Sequence, residues 1–206
     1  MAFGDYATLK DDFNRASGGL GSNWPSKVMS SHSTLTISSN RIHGSASGSV
    51  CSGYFNETLG PNAEVYVDVE TWNSDGFTLY LRVTNPNSGT LNYYIMNIGG
   101  ASPVVGFYKM VSGSENQVGS DTSVSVATGN KIGFSVEDSG SNVVLKAWKD
   151  TGGGWSQIAT ATDSSSPLKV WLILISMPYT KPWEAIMVIS QKRKTETATE
   201  DSLTDL

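Results

Sequence analysis

Apolar and polar residues alternate one for one in "EVYVDVETW" and again in "FTLYLRVT". A period of two marks a β-strand with one buried face, because successive side chains leave a strand on opposite sides. Val65, Val67 and Val69 share one face of the first segment, and Tyr66, Asp68, Glu70 and Trp72 share the other. In the second segment Phe77, Leu79, Leu81 and Val83 point inward, while Thr78, Tyr80, Arg82 and Thr84 point outward. The intervening "NSDG", Asn73 to Gly76, is a turn signal, so the two segments are predicted to pair as an antiparallel hairpin.

The same reading gives strands at "NYYIMNIG", "VVGFYKMV", "KIGFSVED", "NVVLKAWKD" and "WSQIATAT", each bounded by Gly, Ser, Asn and Asp clusters. "LTISSNRIHG" and "SGSVCSGYF" read as two more. With Asp12 to Arg15 and two late apolar segments the total reaches roughly a dozen, more than an immunoglobulin domain uses. The 21 glycines and the 16% share of charged residues suit many short strands and tight turns, and no window is strongly helical. These observations predict an all-β protein of two packed antiparallel sheets, a jelly roll, with its main domain over residues 1–190. From residue 191 the chain is polar and acidic, and "ETATEDSLTDL" offers too little apolar surface to offset the entropy of ordering, so an irregular C-terminal arm is expected.

A net charge of −5 argues against a nucleic-acid partner, which needs a basic surface to displace counterions; Lys192, Arg193 and Lys194 form the one basic cluster, beside the acidic tail. Cys51 is the single cysteine, so no intramolecular disulfide forms, and it reads as a small strand residue. His32 and His43 are far apart and lack carboxylate or cysteine partners at ligand spacing, so no metal or other cofactor is indicated. Asp75, Asp121, Asp138 and Asp163 lie in or near turns, but no spacing among them singles out a calcium site. "TGGGW", Thr151 to Trp155, lacks the lysine and helix of a phosphate loop and reads as a hairpin turn; Trp148 before it and Trp155 at its end read as core or hairpin packing, or as a sugar platform. The opening residues show no secretory signal, and the longest apolar run, Val170 to Ile175, is too short to cross a bilayer as a helix, so no membrane partner is expected.

The pattern Asp12, Phe13, Arg15, Gly18, Leu20, Gly21 and Trp24 in "DDFNRASGGLGSNW" resembles the start of concanavalin A-like (laminin-G-like) jelly-roll domains found in phage virion proteins and some bacterial surface proteins. The stretch from Gly129 to Ser165, paired strands followed by an Asp-Ser turn, looks like the same family. In this pattern Phe13, Leu20 and Trp24 read as core anchors, with Asp12 and Arg15 fixing the polar ends of the first strand. After Ser166 the chain departs from the family pattern. "PLKVWLILISMPYTKPWEAIMVIS" is apolar and broken by prolines, so it either seals the sandwich differently or packs on a partner.

The resemblance covers lectins, glycosidases and structural proteins on one scaffold, so function must be sought in sites. Laminarinase-type glucanases of this fold carry a strand reading near Glu-x-Asp-x-Glu, and in "YVDVE" Asp68 and Glu70 match its last two acids, whereas Tyr66 stands where the nucleophile belongs. Glu64 has the right parity but lies a full step away along the strand. The expectation is therefore a protein that is not an enzyme: a bacteriophage virion protein, assembled in the host cytoplasm as a homo-oligomer or symmetric array. It would decorate the head or attach to the tail by burying Trp171, Trp183 and Ile186 against other virion proteins. The alternative is a carbohydrate-binding module whose glycan shelf is Tyr66, Asp68, Glu70, Trp72, Tyr80 and Arg82. A glucanase is the third reading.

Overall fold

The computed structural model describes residues 3, 9–11, 13–24, 31–45, 50–55, 62–70, 72, 74–86, 88, 90–165, 168, 173–178 and 185–191, and of 9–10, 43, 173–178 and 185–191 the backbone alone. Sixteen strands follow one another, with no helix among the described residues: β1 (Leu9–Asp11), β2 (Gly18–Gly19), β3 (Ser33–Ser38), β4 (Arg41–Gly44), β5 (Val50–Phe55), β6 (Ala63–Val69), β7 (Phe77–Thr84), β8 (Asn92–Gly99), β9 (Val104–Val111), β10 (Ser114–Gln117), β11 (Thr122–Ser123), β12 (Lys131–Ser139), β13 (Asn142–Asp150), β14 (Trp155–Asp163), β15 (Ile173–Pro178) and β16 (Ala185–Gln191).

They form two sheets. The first runs β2-β3-β4-β16-β6-β12-β13-β14, with β1 also paired to β16. The second runs β10-β9-β8-β7-β15-β5, with β11 also on β9. The start of β3 joins them, because Ser33 and Thr34 pair in parallel with Cys51 and Ser52 of β5 before the strand turns to β4. Between the sheets lies the main core. Val65, Val67 and Val69 of β6 and Ile132, Phe134 and Val136 of β12 pack with Leu79 and Leu81 of β7, Tyr94, Met96 and Ile98 of β8, and Phe107 of β9. Burying one such aliphatic or aromatic side chain is worth roughly 1.5–3 kcal/mol, so the alternation read from the sequence supplies the force that holds the sheets together.

The apolar segment after Ser166 seals the sandwich. β15 enters the middle of the second sheet, pairing Leu174 with both Tyr54 and Tyr80. β16 enters the middle of the first, between β6 and β4. Residues 192–206, including the expected arm, lie outside the described residues.

β6 and β7 do not form a hairpin. They belong to different sheets, with Ser74 to Gly76 of the predicted turn lying on the connection between them. This turn presses on the end of β8, where the Gly100 amide donates to the Ser74 carbonyl at 2.8 Å. Gly76 has φ +72°, and a Cβ there would overlap the Ile98 carbonyl, which is why glycine stands at that position.

The alternation in β7 also breaks. Register is lost between Leu81 and Thr84, and Arg82 sits at φ 56°. The irregularity turns Arg82 inward, 1% exposed, and Val83 outward, reversing the predicted parity. Arg82 donates to the Leu168 carbonyl at 2.6 Å and to Asp138 Oδ1 at 2.7 Å. Two further buried residues of the second sheet hold the same connection. Asp163, at the end of β14, accepts from the Tyr94 hydroxyl at 2.5 Å and from Lys109 Nζ at 2.7 Å on one oxygen, and from the amide and hydroxyl of Ser165 on the other. Lys109 also donates to the Ser165 carbonyl, and the Leu168 amide donates to the Tyr94 oxygen.

The glycine-rich opening motif is a second polar hub. Its carboxylate is that of Asp11; Asp12, which the sequence pattern pointed to, lies outside the described residues. Arg15 reaches both Asp11 oxygens, at 2.6 and 3.1 Å, Trp24 Nε1 donates to one at 2.9 Å, and the Phe13 amide donates to the other. Phe13, Leu20 and Trp24 are buried in the main core as the sequence suggested.

Burial alone would raise the carboxyl of Asp163, but the bonds from Lys109, Tyr94 and Ser165 hold it below its ordinary value; Asp11 is lowered in the same way by Arg15, the Phe13 amide and Trp24. A carboxylate lowered on folding stabilises the fold fully above its unfolded pKa of about 3.9, and that contribution fades as pH falls through the lower folded value. Urea unfolding of Asp163→Ala is expected to show a loss of about 3–5 kcal/mol, because Lys109 stays buried without its partner. Asp163→Asn is expected to lose stability less steeply than the natural chain when unfolding is followed from pH 5 down to pH 2.

Candidate functional site

The six residues expected to form one glycan shelf do not share a face. Tyr66, Asp68 and Glu70 lie on the outer face of the first sheet. Tyr80 lies on the outer face of the second, 7% exposed and in edge contact with Tyr93 at 5.0 Å between centroids. Trp72 turns inward and packs on the main core against Phe77, and Arg82 is buried in its ion pair. The shelf assumed that β6 and β7 are neighbours; their separation into two sheets and the break at Arg82 undo it.

On the first sheet the acids are already engaged. Asp68 lies 3.4 Å from Lys131 Nζ and Glu70 lies 3.3 Å from Arg41, so neither pairs with Arg82. Burial lifts the Asp68 carboxyl above its ordinary value, with Glu70 and Asp150 adding to the rise and Lys131 opposing it. Asp68, Glu70, Thr128, Gly129 and Lys131 border a recess of about 210 Å³. Glu64, the remaining acid of the strand, is 3% exposed. Trp148 and Trp155 flank the "TGGGW" turn as expected and also lie on this face, with Trp155 in edge contact with Tyr66 at 5.2 Å.

A different cluster forms on the outer face of the second sheet. Tyr80, Val83, Leu91, Tyr93 and Ile95 make a small core of their own, against which Tyr54, Tyr108 and Met110 pack. At its margin opens a recess of about 210 Å³, lined by Asp75, Asn97, Gly99, Gly100, Val104, Gly106, Tyr108 and Asp121. Each part is placed by the fold. The β6–β7 turn brings Asp75 onto the end of β8. Asn97 and Gly106 are cross-strand partners, with Ile95 and Tyr108 one row along. Asp121 precedes β11, whose pairing with Val104 and Val105 lays it over Gly106, and Gln117 holds its Oδ1 at 2.7 Å.

The glycine makes the recess. A Cβ at Gly106 would stand 2.7 Å from Asp121 Oδ1 and 2.9 Å from Tyr108 Cε2, so only a bare backbone leaves both side chains where they are. Burial raises the Tyr108 hydroxyl above its ordinary value, and the charges of Asp121 and Glu115 add to this. Two carboxylates, an amide and the wall of a tyrosine ring, with no cation lining them among the described residues, favour a neutral ligand rich in hydroxyl donors and with an apolar face. The volume is below the roughly 300–1,000 Å³ usual for drug-sized ligands and suits a single small ring.

Of the four turn aspartates, the structure brings Asp75 and Asp121 together at this recess and engages Asp138 and Asp163 with Arg82 and Lys109. Among the described residues no group of three or more His, Cys, Asp or Glu is placed to hold a metal ion. His32 shares a hydrogen bond with the Ser52 hydroxyl at 2.9 Å, Cys51 is buried and free of any disulfide, and the His43 side chain lies outside the described residues. Trp171 and Trp183 also lie outside them. Ile186 is described by its backbone, paired with Asp68 of β6.

No protein-family model and no curated protein matches the chain. Solved structures do. The VIP36 exoplasmic/lumenal domain in its Ca²⁺/Man₃GlcNAc-bound form is similar with a TM-score of 0.60 at 12% identity, over 92% of each chain. A β-glucanase of Bacillus licheniformis is similar with a TM-score of 0.53 at 14% identity, over 90% of this chain and 92% of that one. The CBM2 module of the evolved Dit of Lactobacillus casei BL23 phage J-1 has a TM-score of 0.52 at 10% identity, over 88% of this chain and 95% of that one. The fold is the concanavalin A-like jelly-roll sandwich that the sequence resembled.

Gly106→Ala tests the architecture of the recess. A crystal structure of this variant is expected to show Tyr108 and Asp121 displaced and the cavity reduced, with the two sheets unchanged.

Proposed function

We propose that the chain is a carbohydrate-binding module without catalytic activity, and that its glycan site is the recess of Asp75, Asn97, Tyr108 and Asp121. The observation that carries this reading is the meeting of a tyrosine wall with acceptor-rich side chains over a glycine floor. Carboxylates and amides accept hydrogen bonds from sugar hydroxyls while the ring covers an apolar sugar face. The likeness to a glycan-bound VIP36 domain and to a phage CBM2 module supports it at the level of fold. Catalysis has less support: on β6 Asp68 and Glu70 are held by Lys131 and Arg41, and Tyr66 stands where the glucanase pattern has its nucleophile.

A second reading sets this module on a bacteriophage particle, in the head or the tail, and is favoured by the likeness to the phage Dit module. There Trp171, Trp183 and Ile186 would meet other virion proteins. Immunogold labelling of intact particles supports this if gold decorates the head or tail, and particles that stay bare while the chain remains soluble in the lysate overturn it.

A glycan array should return binding by the natural chain and a loss of tenfold or more in affinity, about 1.4 kcal/mol, for Tyr108→Ala and for Asp121→Ala. Both variants should melt within a few degrees of the natural chain. Silence across the array, or binding indifferent to both substitutions, would rule out this site, and reducing-sugar release from a β-glucan that disappears in Glu70→Gln would rule out the non-catalytic reading.

A further inference from the structure

The outer face of the first sheet holds a feature that the strand-by-strand reading does not explain. Cross-strand register aligns two rows there: Asp68, Lys131, Asp150 and Trp155 in one, and Tyr66, Gly133, Trp148 and Gln157 in the next. Gly133 is thus a gap between the aromatic rings of Tyr66 and Trp148. Into that gap fits the ring of Phe3, a residue outside every strand and 5% exposed. The ring stacks on Trp148 at 5.1 Å with 23° between planes and meets the edge of Trp155 at 4.5 Å. A Cβ on Gly133 would overlap it, so the recess reaches down to the bare backbone of β12.

We propose that this recess is a second carbohydrate-binding site, for a neutral pyranose ring, and that Phe3 occupies it as a tethered stand-in for the ligand. The proposal is separate from the recess beside Tyr108 but rests on the same reading of the chain as a glycan binder. A flat ring of six atoms already fits, with one indole under its face and another at its edge. The rim is what a sugar requires and a phenyl ring does not use. Asp68 and Lys131 stand along one side, 3.4 Å apart, an acceptor and a donor for hydroxyls, next to Asp150, whose Oδ1 accepts the Gly152 and Gly154 amides, and Lys131 Nζ lies 5.9 Å from the Tyr66 ring. The Trp148 indole is fixed in place by its own bond to Ser135 Oγ at 2.9 Å, and Lys146 lies 5.9 Å over its ring. An oriented, braced tryptophan beside a polar row is a binding surface prepared before its ligand arrives.

A resident ring lowers apparent affinity in proportion to the fraction of molecules in which it is out, so a glycan must displace Phe3 to bind. Removing Phe3 therefore strengthens binding at this face. The test uses the full chain on a glycan array, followed by titration of tryptophan fluorescence with the best soluble oligosaccharide, for the natural sequence, Phe3→Ala, Phe3→Ala with Trp155→Ala, and Phe3→Ala with Asp121→Ala. A chain lacking residues 1–4 serves as a second way of emptying the recess, and melting curves identify folded variants. Expected are a gain of tenfold or more in affinity for Phe3→Ala, its loss on adding Trp155→Ala, and its persistence with Asp121→Ala. If neither emptied variant gains binding while folded, the proposal is wrong. A gain that disappears with Asp121→Ala instead assigns the effect to the recess beside Tyr108. A dimer of the natural chain that Phe3→Ala abolishes assigns this recess to the arm of a second copy, and likewise overturns it.

Discussion

The carboxylate of Asp163 sits between the sheets beside an ammonium and a phenol that are also out of water, and such a group is tolerated only when each lone pair has a donor. Here one oxygen takes Lys109 and Tyr94 from the second sheet, and the other takes the amide and hydroxyl of Ser165. The geometry fixes where β14 stops and in which direction the chain leaves the first sheet. Tyr94 and Arg82 then grip Leu168 by its amide and its carbonyl. With its path set over these few residues, the chain can place β15 between β5 and β7. The polar latch does not drive folding, which apolar burial does; it selects one crossing among the many that burial alone would accept.

Both outer faces carry aromatic residues, but the arrangements differ in kind. On the second sheet the tyrosines around Tyr80 and Tyr93 form a small core, and only its margin, at Tyr108, opens beside polar groups. On the first sheet the tryptophans stand over a backbone gap and enclose a ring from elsewhere in the chain. In each place a glycine does the shaping, Gly106 in one and Gly133 in the other, because removing a Cβ is the simplest way to make a hollow in a pleated surface.

The alternation in β6 told which of its residues face the core, since burial on one side of a strand writes itself directly into sequence. It did not tell which strand lies beside which. "NSDG" is a sound turn, but the same four residues can reverse a hairpin or cross from one sheet to the other, and the choice depends on β12 and β16 taking both sides of β6. Arg82 was misplaced for a related reason: a local irregularity reverses parity without altering the apolar pattern around it. The glycan recess was legible only in fragments, as turn aspartates and a tyrosine, because Asp75 and Asp121 are brought together by pairings distant in sequence. Phe3 over Gly133 left no periodic signal at all.

Because β15 and β16 occupy the middle of each sheet rather than an edge, the chain has an unusual order of completion. While residues up to Asp163 are being made, β7 and β5 lack the strand that lies between them, and β6 and β4 lack theirs. A nascent chain at that stage can assemble three blocks, β10-β9-β8-β7, β5-β3-β4 and β6-β12-β13-β14, which leave open strand edges at β7, β5, β4 and β6 of the kind that invites pairing with other chains. Nothing in the local sequence closes those edges early, and the contacts that do so span most of the chain, which makes for slow closure. The sandwich therefore stays incomplete until β15 and β16 have also been made, on the order of seconds after Asp163 at usual synthesis rates, and any factor that shields exposed strands during that interval governs how much of the protein reaches its finished form.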